Sequence, residues 1–300
     1  MTVPEKDKDQ LHEALAVIED SKTKAEVTVI AEELFSRIYD DLNKAIVGNP
    51  IEHHPIVLAH MLKIATRIKS PYLVLAEAAA LALLHDISAV PKITKQMVTA
   101  AGPGKGDALE LERQENRILH MREGSAVAHR YLLALNKSLG RIVFDSKAID
   151  RVCEAIRIHD NPSLDIPIHR SNWLAVAFRE ADRLWMITHL GILADLARKC
   201  SAVKDADEIA FPEQFCTAYA ALIRDNENTI AQPDKYRDQL EDNIKRFCEE
   251  RELYRPLEPT EGPFCDESTF FRTAEGHAIY RSLCDTAYGR LGTPADQRLV

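Results

Sequence analysis

A histidine and an aspartate stand side by side at the end of an apolar run, Leu81-Ala-Leu-Leu-His85-Asp86-Ile87. A carboxylate next to a helical core must be paired, hydrogen-bonded or bound to metal, because removing it from water alone is too costly. Partners are available at His54, His120, His159 and Asp182, each on or beside a helical pattern with apolar neighbours. Together these residues offer four imidazoles and two carboxylates. Such nitrogen and oxygen donors suit Fe, Mn, Co or Zn better than Mg, which prefers oxygen ligands and octahedral hydration. If the Asp86 carboxylate bridges, two divalent transition metals each receive about three protein ligands, with positions left for water and substrate. Water held between two such ions is acidified enough to act as a nucleophile near neutral pH.

The elements that carry these residues read as helices. Leu11, Leu15 and Ile18, then Val27, Ile30, Leu34, Ile38, Leu42 and Ile46, recur at three- or four-residue steps and predict amphipathic helices over 10–20 and 24–47. Gly48-Asn49-Pro50 breaks the second, and His53-His54-Pro55 restarts the chain into a helix over 56–69, stopped by Ser70-Pro71. The segment 72–86 is apolar enough to be buried on nearly all sides. Further helices are expected over 108–121, 123–137 and 146–159, then a long one over 172–199 carrying Asp182, and three more over 209–225, 234–253 and 268–290. No segment alternates with period two, so the expected class is all-α. The expected organisation is a compact helical core over 51–200, with N-terminal helices over 1–50 packed on it and a C-terminal helical extension over 201–300.

Helical geometry sorts the remaining histidines. At about 100° per residue, His129 lies near 180° from His120 and His60 near 240° from His54, so both are expected to point elsewhere. His53 competes with His54 for the first ligand position. His189, seven residues after Asp182 in one continuous helix, would share its face about 10 Å along the axis.

A net charge of -9 and a pI near 5.7 give no footprint for a nucleic-acid polymer or an anionic membrane surface, so a small anionic substrate would need a local basic pocket. The six cysteines form no CxxC pair and no zinc-ribbon spacing, which leaves them as reduced, small apolar residues. The polar start Met-Thr-Val-Pro-Glu lacks the apolar stretch of a signal peptide, and no uncharged run is long enough to span a membrane; a cytoplasmic location is the expectation. The loop Gly102-Pro-Gly104-Lys105-Gly106 is not a phosphate-binding P-loop, since glycine follows the lysine and no strand precedes it.

The order His54, His85-Asp86, Asp182 resembles the HD-domain superfamily of helical metal-dependent enzymes. His54-Pro-Ile-Val-Leu-Ala looks like the start of that family's first helix, Leu83-Leu84-His85-Asp86-Ile87 like its central motif, and Glu180-Ala181-Asp182-Arg183-Leu184 like its closing helix. The Leu58-Ala59 that follows places the first ligand at His54 in this register. His120-Met-Arg-Glu-Gly124-Ser125-Ala126 and Ala155-Ile156-Arg157-Ile158-His159 are similar to the branch with two extra histidines, which holds two metals bridged by the aspartate of the pair. The resemblance spans about 130 residues. It implies a helical HD-domain bundle, two metals with Fe or Mn favoured, and Asp86 as a catalytic group.

The chain departs from the family after Asp86. Many phosphohydrolase members continue with Gly-Lys, whose lysine meets a phosphate oxygen, whereas Ser88-Ala89 stands here. Lys92, as a catalytic and substrate-binding cation, or Lys95 could supply that charge from the same loop, and Arg122 and Arg183 lie near ligands in sequence. The leading expectation is a phosphohydrolase acting on a phosphoester or nucleotide. A di-iron oxygenase cleaving a C–H or C–P bond, and a regulatory binding module, are the alternatives. The outer helices could cap the pocket or form a homodimer interface.

Overall fold

The computed structural model describes residues 3–44, 50–68, 74–88, 98, 102, 104–160, 172–201, 211–253 and 270–293. These residues form eleven α-helices, one 3-10 turn and no strand: α1 (Glu5–Leu15), α2 (Ser21–Lys44), α3 (His53–Arg67), α4 (Leu75–Leu84), α5 (Lys105–Ser138), α6 (Ser146–Ile158), α7 (Trp173–Leu184), the 3-10 turn Trp185–Ile187, α8 (His189–Ser201), α9 (Phe211–Asp225), α10 (Pro233–Leu253) and α11 (Ala274–Arg290). The fold is all-α. None of these helices is long and apolar enough to cross a membrane.

The middle of the structure is α4. Every residue from Glu77 to Leu84 is buried, as its unbroken apolar run requires, and each of its buried leucines contributes about 1.5–3 kcal/mol relative to exposure. Helices α2, α3, α6 and α7 pack around it, while α1 covers α3 and α5 lies along α6. The one carboxylate of α4, Glu77, is buried and takes both Nε and Nη2 of Arg151 on α6, at 2.9 and 2.5 Å. Such a two-point contact fixes orientation as well as neutralising the charge. Buried apolar residues from Val3 to Tyr288 form one contiguous cluster, so the first and last helices share the core that holds α4.

The first helix is Glu5–Leu15 instead of 10–20, so Ile18 packs from the turn after it, and the joining of helices differs from the sequence expectation in two places. The helices expected over 108–121 and 123–137 are one, α5, because nothing between them breaks a helix: Gly124 stays helical, facing the His85 carbonyl at ordinary contact distance. The helix expected over 172–199 is two. Thr188 donates from Oγ1 to the Trp185 carbonyl at 2.7 Å and accepts from the Gly191 amide at 3.0 Å, which ends one helix and caps the next. His189 therefore leaves the face of Asp182 and lies 3.1 Å from the Tyr236 hydroxyl on α10.

That turn makes a sharp demand at Gly191, where a Cβ would stand 1.9 Å from the Trp185 carbonyl oxygen. Gly191→Ala is expected to destabilise the chain by about 1–3 kcal/mol or more in urea unfolding. Gly124→Ala, whose Cβ would meet its neighbours at 3.5 Å or beyond, should be neutral or stabilising by up to about 1 kcal/mol. Equal midpoints for the two variants would contradict the packing described.

Candidate metal centre

Three helix C-terminal ends converge on one place. His85 and Asp86 follow the last residue of α4, His159 follows the last residue of α6, and Asp182 sits in the last turn of α7. Carbonyls left unpaired at a helix C-terminus carry partial negative charge and favour a cation nearby. His120 reaches in from the middle of α5, and His53 from the first turn of α3.

The donor atoms form two groups that share Asp86. His53, His85 and Asp86 offer atoms within 4.8 Å of one another, and so do Asp86, His120 and His159; all are buried. Asp86 turns its two oxygens in different directions. Oδ2 faces His85 Nε2 at 3.6 Å and His53 Nε2 at 3.9 Å, while Oδ1 faces His120 Nε2 at 2.9 Å and His159 Nε2 at 3.7 Å. Asp182 joins the first group, its Oδ1 lying 3.4 Å from His53 Nε2 and 3.6 Å from His85 Nε2. Ligands about 2.0–2.1 Å from a first-row ion stand roughly 3.0–3.4 Å apart in octahedral or tetrahedral arrangements. The 2.9 and 3.4 Å separations match that range, and the other four, at 3.6–3.9 Å, are longer by a few tenths of an ångström.

The imidazoles are prepared as ligands. His85 Nδ1 is 2.9 Å from the Ala82 carbonyl and His159 Nδ1 is 2.6 Å from the Ile156 carbonyl, so each ring donates outward and turns the lone pair of Nε2 inward. His85 and His53 nonetheless bring their Nε2 atoms within 2.9 Å of each other, and the buried His53 Nδ1 has no hydrogen-bond partner among the described residues. Lone pairs and carboxylate oxygens crowded together in this way are relieved by a cation among them. Burial lowers His85 to about 3, so its ring is neutral and ready to bind at neutral pH. Burial raises the Asp182 carboxyl, but hydrogen bonding to His53 and the positive surroundings that include Arg183 outweigh it and hold the group below the usual carboxylate range.

Apolar rings wall the cluster. The Phe178 ring lies 5.0 Å from that of His85 and 5.9 Å from that of His159, and the Trp185 ring is 5.1 Å from that of His53. The scaffold around the cluster is tied in two places: Ser125 Oγ donates to the Cys153 carbonyl at 2.9 Å, joining α5 to α6, and Arg179 Nη1 donates to the His159 carbonyl at 3.0 Å.

Set against the sequence expectation, the structure brings together His85, Asp86, His120, His159 and Asp182. At the first position it groups His53 with them. His54 is buried next to it, with its ring 5.4 Å from that of His53 and 5.3 Å from that of His85. With His53 turned inward, His60 falls on the same face of α3 two turns on; it lines a cavity of about 890 Å³ between the α1–α2 turn, α3 and α11 that includes none of the clustered ligands.

Among the expected substrate cations, Arg183 is at the centre, with Nη1 3.4 Å from Asp182 Oδ2. Arg122 is not: two residues beyond His120 on a helix it faces the opposite way, exposed and 3.7 Å from Glu123. Lys92 and Lys95 lie outside the described residues. Sequence reasoning missed Arg117 and Asp160. The Arg117 guanidinium meets both oxygens of Asp160, and Arg183 Nη2 is 3.5 Å from Asp160 Oδ1. The signal was available in the spacing, since Arg117 precedes His120 by one helical turn and Asp160 follows His159 directly.

Reconstitution with Mn followed by elemental analysis should give close to two metals per chain. His85→Ala and Asp86→Ala should lose most of them, and His53→Ala should lose more than His54→Ala. The reverse order for the last two would place His54 in the cluster. No family model, no curated protein and no solved structure matches this chain.

Proposed function

We propose that this chain is a metal-dependent phosphohydrolase of the HD-domain kind, holding two divalent transition metals, with Fe or Mn best suited to its nitrogen and oxygen donors. The observation that carries the reading is the Asp86 carboxylate, which turns Oδ2 to one set of imidazoles and Oδ1 to another. One ion would be held by His53, His85, Asp182 and Asp86, the other by Asp86, His120 and His159. When bound, such a pair supplies an acidified water and polarises a phosphoryl oxygen.

The chain's own residues do the rest. The Ala82 and Ile156 carbonyls hold the ring protons of His85 and His159 on Nδ1, so Nε2 stays available. Phe178 and Trp185 exclude bulk water from the ligand rings, which strengthens every charge interaction there. Arg183, beside Asp182, supports an anionic substrate, because it places a fixed positive charge at the centre where the Gly-Lys after the aspartate is missing. An acidic chain has particular need of such a charge if its substrate is a phosphate ester.

The test is a screen of phosphomonoesters, phosphodiesters and nucleotides under nitrogen, with Mn- and Zn-loaded protein. Phosphate release from at least one of them is expected without oxygen. Arg183→Gln should lower kcat/KM on that substrate about tenfold or more, as for a lost charge-assisted contact. Substrate-dependent oxygen uptake by the iron form, with no phosphate released by any form, would overturn the hydrolase reading in favour of an oxygenase.

A further inference from the structure

Going outward from the candidate metal centre, exposure rises in steps. The Asp86 side chain is 7% exposed, Asp182 14%, Arg183 16%, Asp160 22% and Arg117 24%. These residues are linked in the same order, Asp182 to Arg183, Arg183 to Asp160 and Asp160 to Arg117. The row therefore runs from buried ligand to partly open surface, as the wall of an entrance does. Each of its outer members is coupled to a candidate ligand by sequence: Arg117 lies one helical turn before His120, Asp160 directly after His159, and Arg183 directly after Asp182.

The row holds two guanidiniums and two carboxylates, and Asp182 is shared with the centre, its other oxygen facing His53 and His85. Asp160 spends its two oxygens on both arginines, and it does so from a backbone held in place: its amide lies 3.2 Å from Met121 Sδ, and the carbonyl of the preceding His159 accepts from Arg179. Arg117 commits Nε and Nη2 to Asp160, leaving Nη1 with no hydrogen bond among the described residues. A guanidinium anchored on one edge by a carboxylate keeps a fixed plane and offers its other edge to an oxyanion. With two divalent ions bound, the ions and the two guanidiniums would together carry more charge than Asp86, Asp182 and Asp160 cancel, which selects a group with several anionic oxygens.

We propose that Arg117 and Arg183, with Asp160 as the positioning residue between them, form a subsite for the terminal phosphate of the substrate at the entrance to the metal centre. This rests on the phosphohydrolase reading and adds its substrate class: an ester with a terminal phosphate has three oxygens to share between metals and guanidiniums, whereas a diester has two unbridged oxygens that the metals would occupy. Arg117 touches the substrate, and Asp160 acts through the arginines.

The experiment is calorimetric titration of inorganic phosphate into the full-length Mn-loaded protein, with metal content and melting temperature recorded for every variant. Arg117→Gln is expected to weaken phosphate binding at least about tenfold with metal content unchanged. Asp160→Asn should weaken it comparably, and the double variant little more than either alone, as for residues acting as one unit. Arg122→Ala, exposed on the same helix, should bind phosphate like the wild type. On a hydrolysed monoester Asp160→Asn should raise KM more than it lowers kcat, a split that general loss of structure would not produce. Should Arg117→Gln fail to fold, Arg117→Lys keeps the ion pair but not the fork, and it must also bind phosphate more weakly. Metal-loaded variants at Arg117 that bind phosphate as the wild type does overturn the subsite alone. A wild-type chain that takes up no metal overturns the metal reading and this subsite with it.

Discussion

Bringing buried imidazoles and two carboxylates to one point, among apolar helices, is the condition on which the structure turns. Each carboxylate loses its hydration there, and in an apolar setting that loss is tolerated only with compensating charge or hydrogen bonds. Protein groups supply part of it: Arg183 stands beside Asp182, and histidine ring nitrogens face both oxygens of Asp86. The remaining imidazole nitrogens and carboxylate oxygens crowd together at the negative ends of α4, α6 and α7. A cation satisfies all of these at once. The apolar run of α4 fits the same constraint, since its burial offsets the cost of holding a charged pair at its end.

Ligands spread from residue 53 to residue 182 need to be fixed independently of whatever they bind. The fold does this with contacts placed beside the ligands. Glu77 and Arg151 join α4 to α6, Ser125 and Cys153 join α5 to α6, and Arg179 grips the carbonyl of His159. The C-terminal helix takes part as well. Glu180, two residues before Asp182, accepts from the Thr273 amide at 3.0 Å and the Thr273 hydroxyl at 2.5 Å, and Thr273 in turn caps α11 through the Gly276 amide. The end of the chain thus sets the orientation of the helix that bears Asp182, and α11 belongs to the support of the centre.

How much of this can be read from the residues depends on the range of the forces involved. Periodicity reports burial within one helix, so the all-α class and the apolar character of α4 were legible. Which residues come together was largely legible too, since His85, Asp86, His120, His159 and Asp182 do converge. The choice between His53 and His54 was not: the two are about 100° apart on a helix, and where the first turn of α3 begins depends on its packing against α1, α4 and α7. The break at Thr188 was hidden because a capping threonine inside an apolar pattern looks like an ordinary helical residue until its hydroxyl is seen bonded both ways. Arg117 and Asp160, 43 positions apart, read as solvated charges until the fold pairs them. Arg122, close to His120 in sequence, shows the converse, because closeness along a helix does not mean a shared face.

The central claim is that Asp86 bridges two ions, and an anomalous difference map from Mn-soaked crystals tests it most directly. The account predicts two peaks about 3.5–4 Å apart, one beside each oxygen of Asp86, with His53, His85 and Asp182 around the first and His120 and His159 around the second. A single peak, or two that do not share the Asp86 carboxylate, would contradict it.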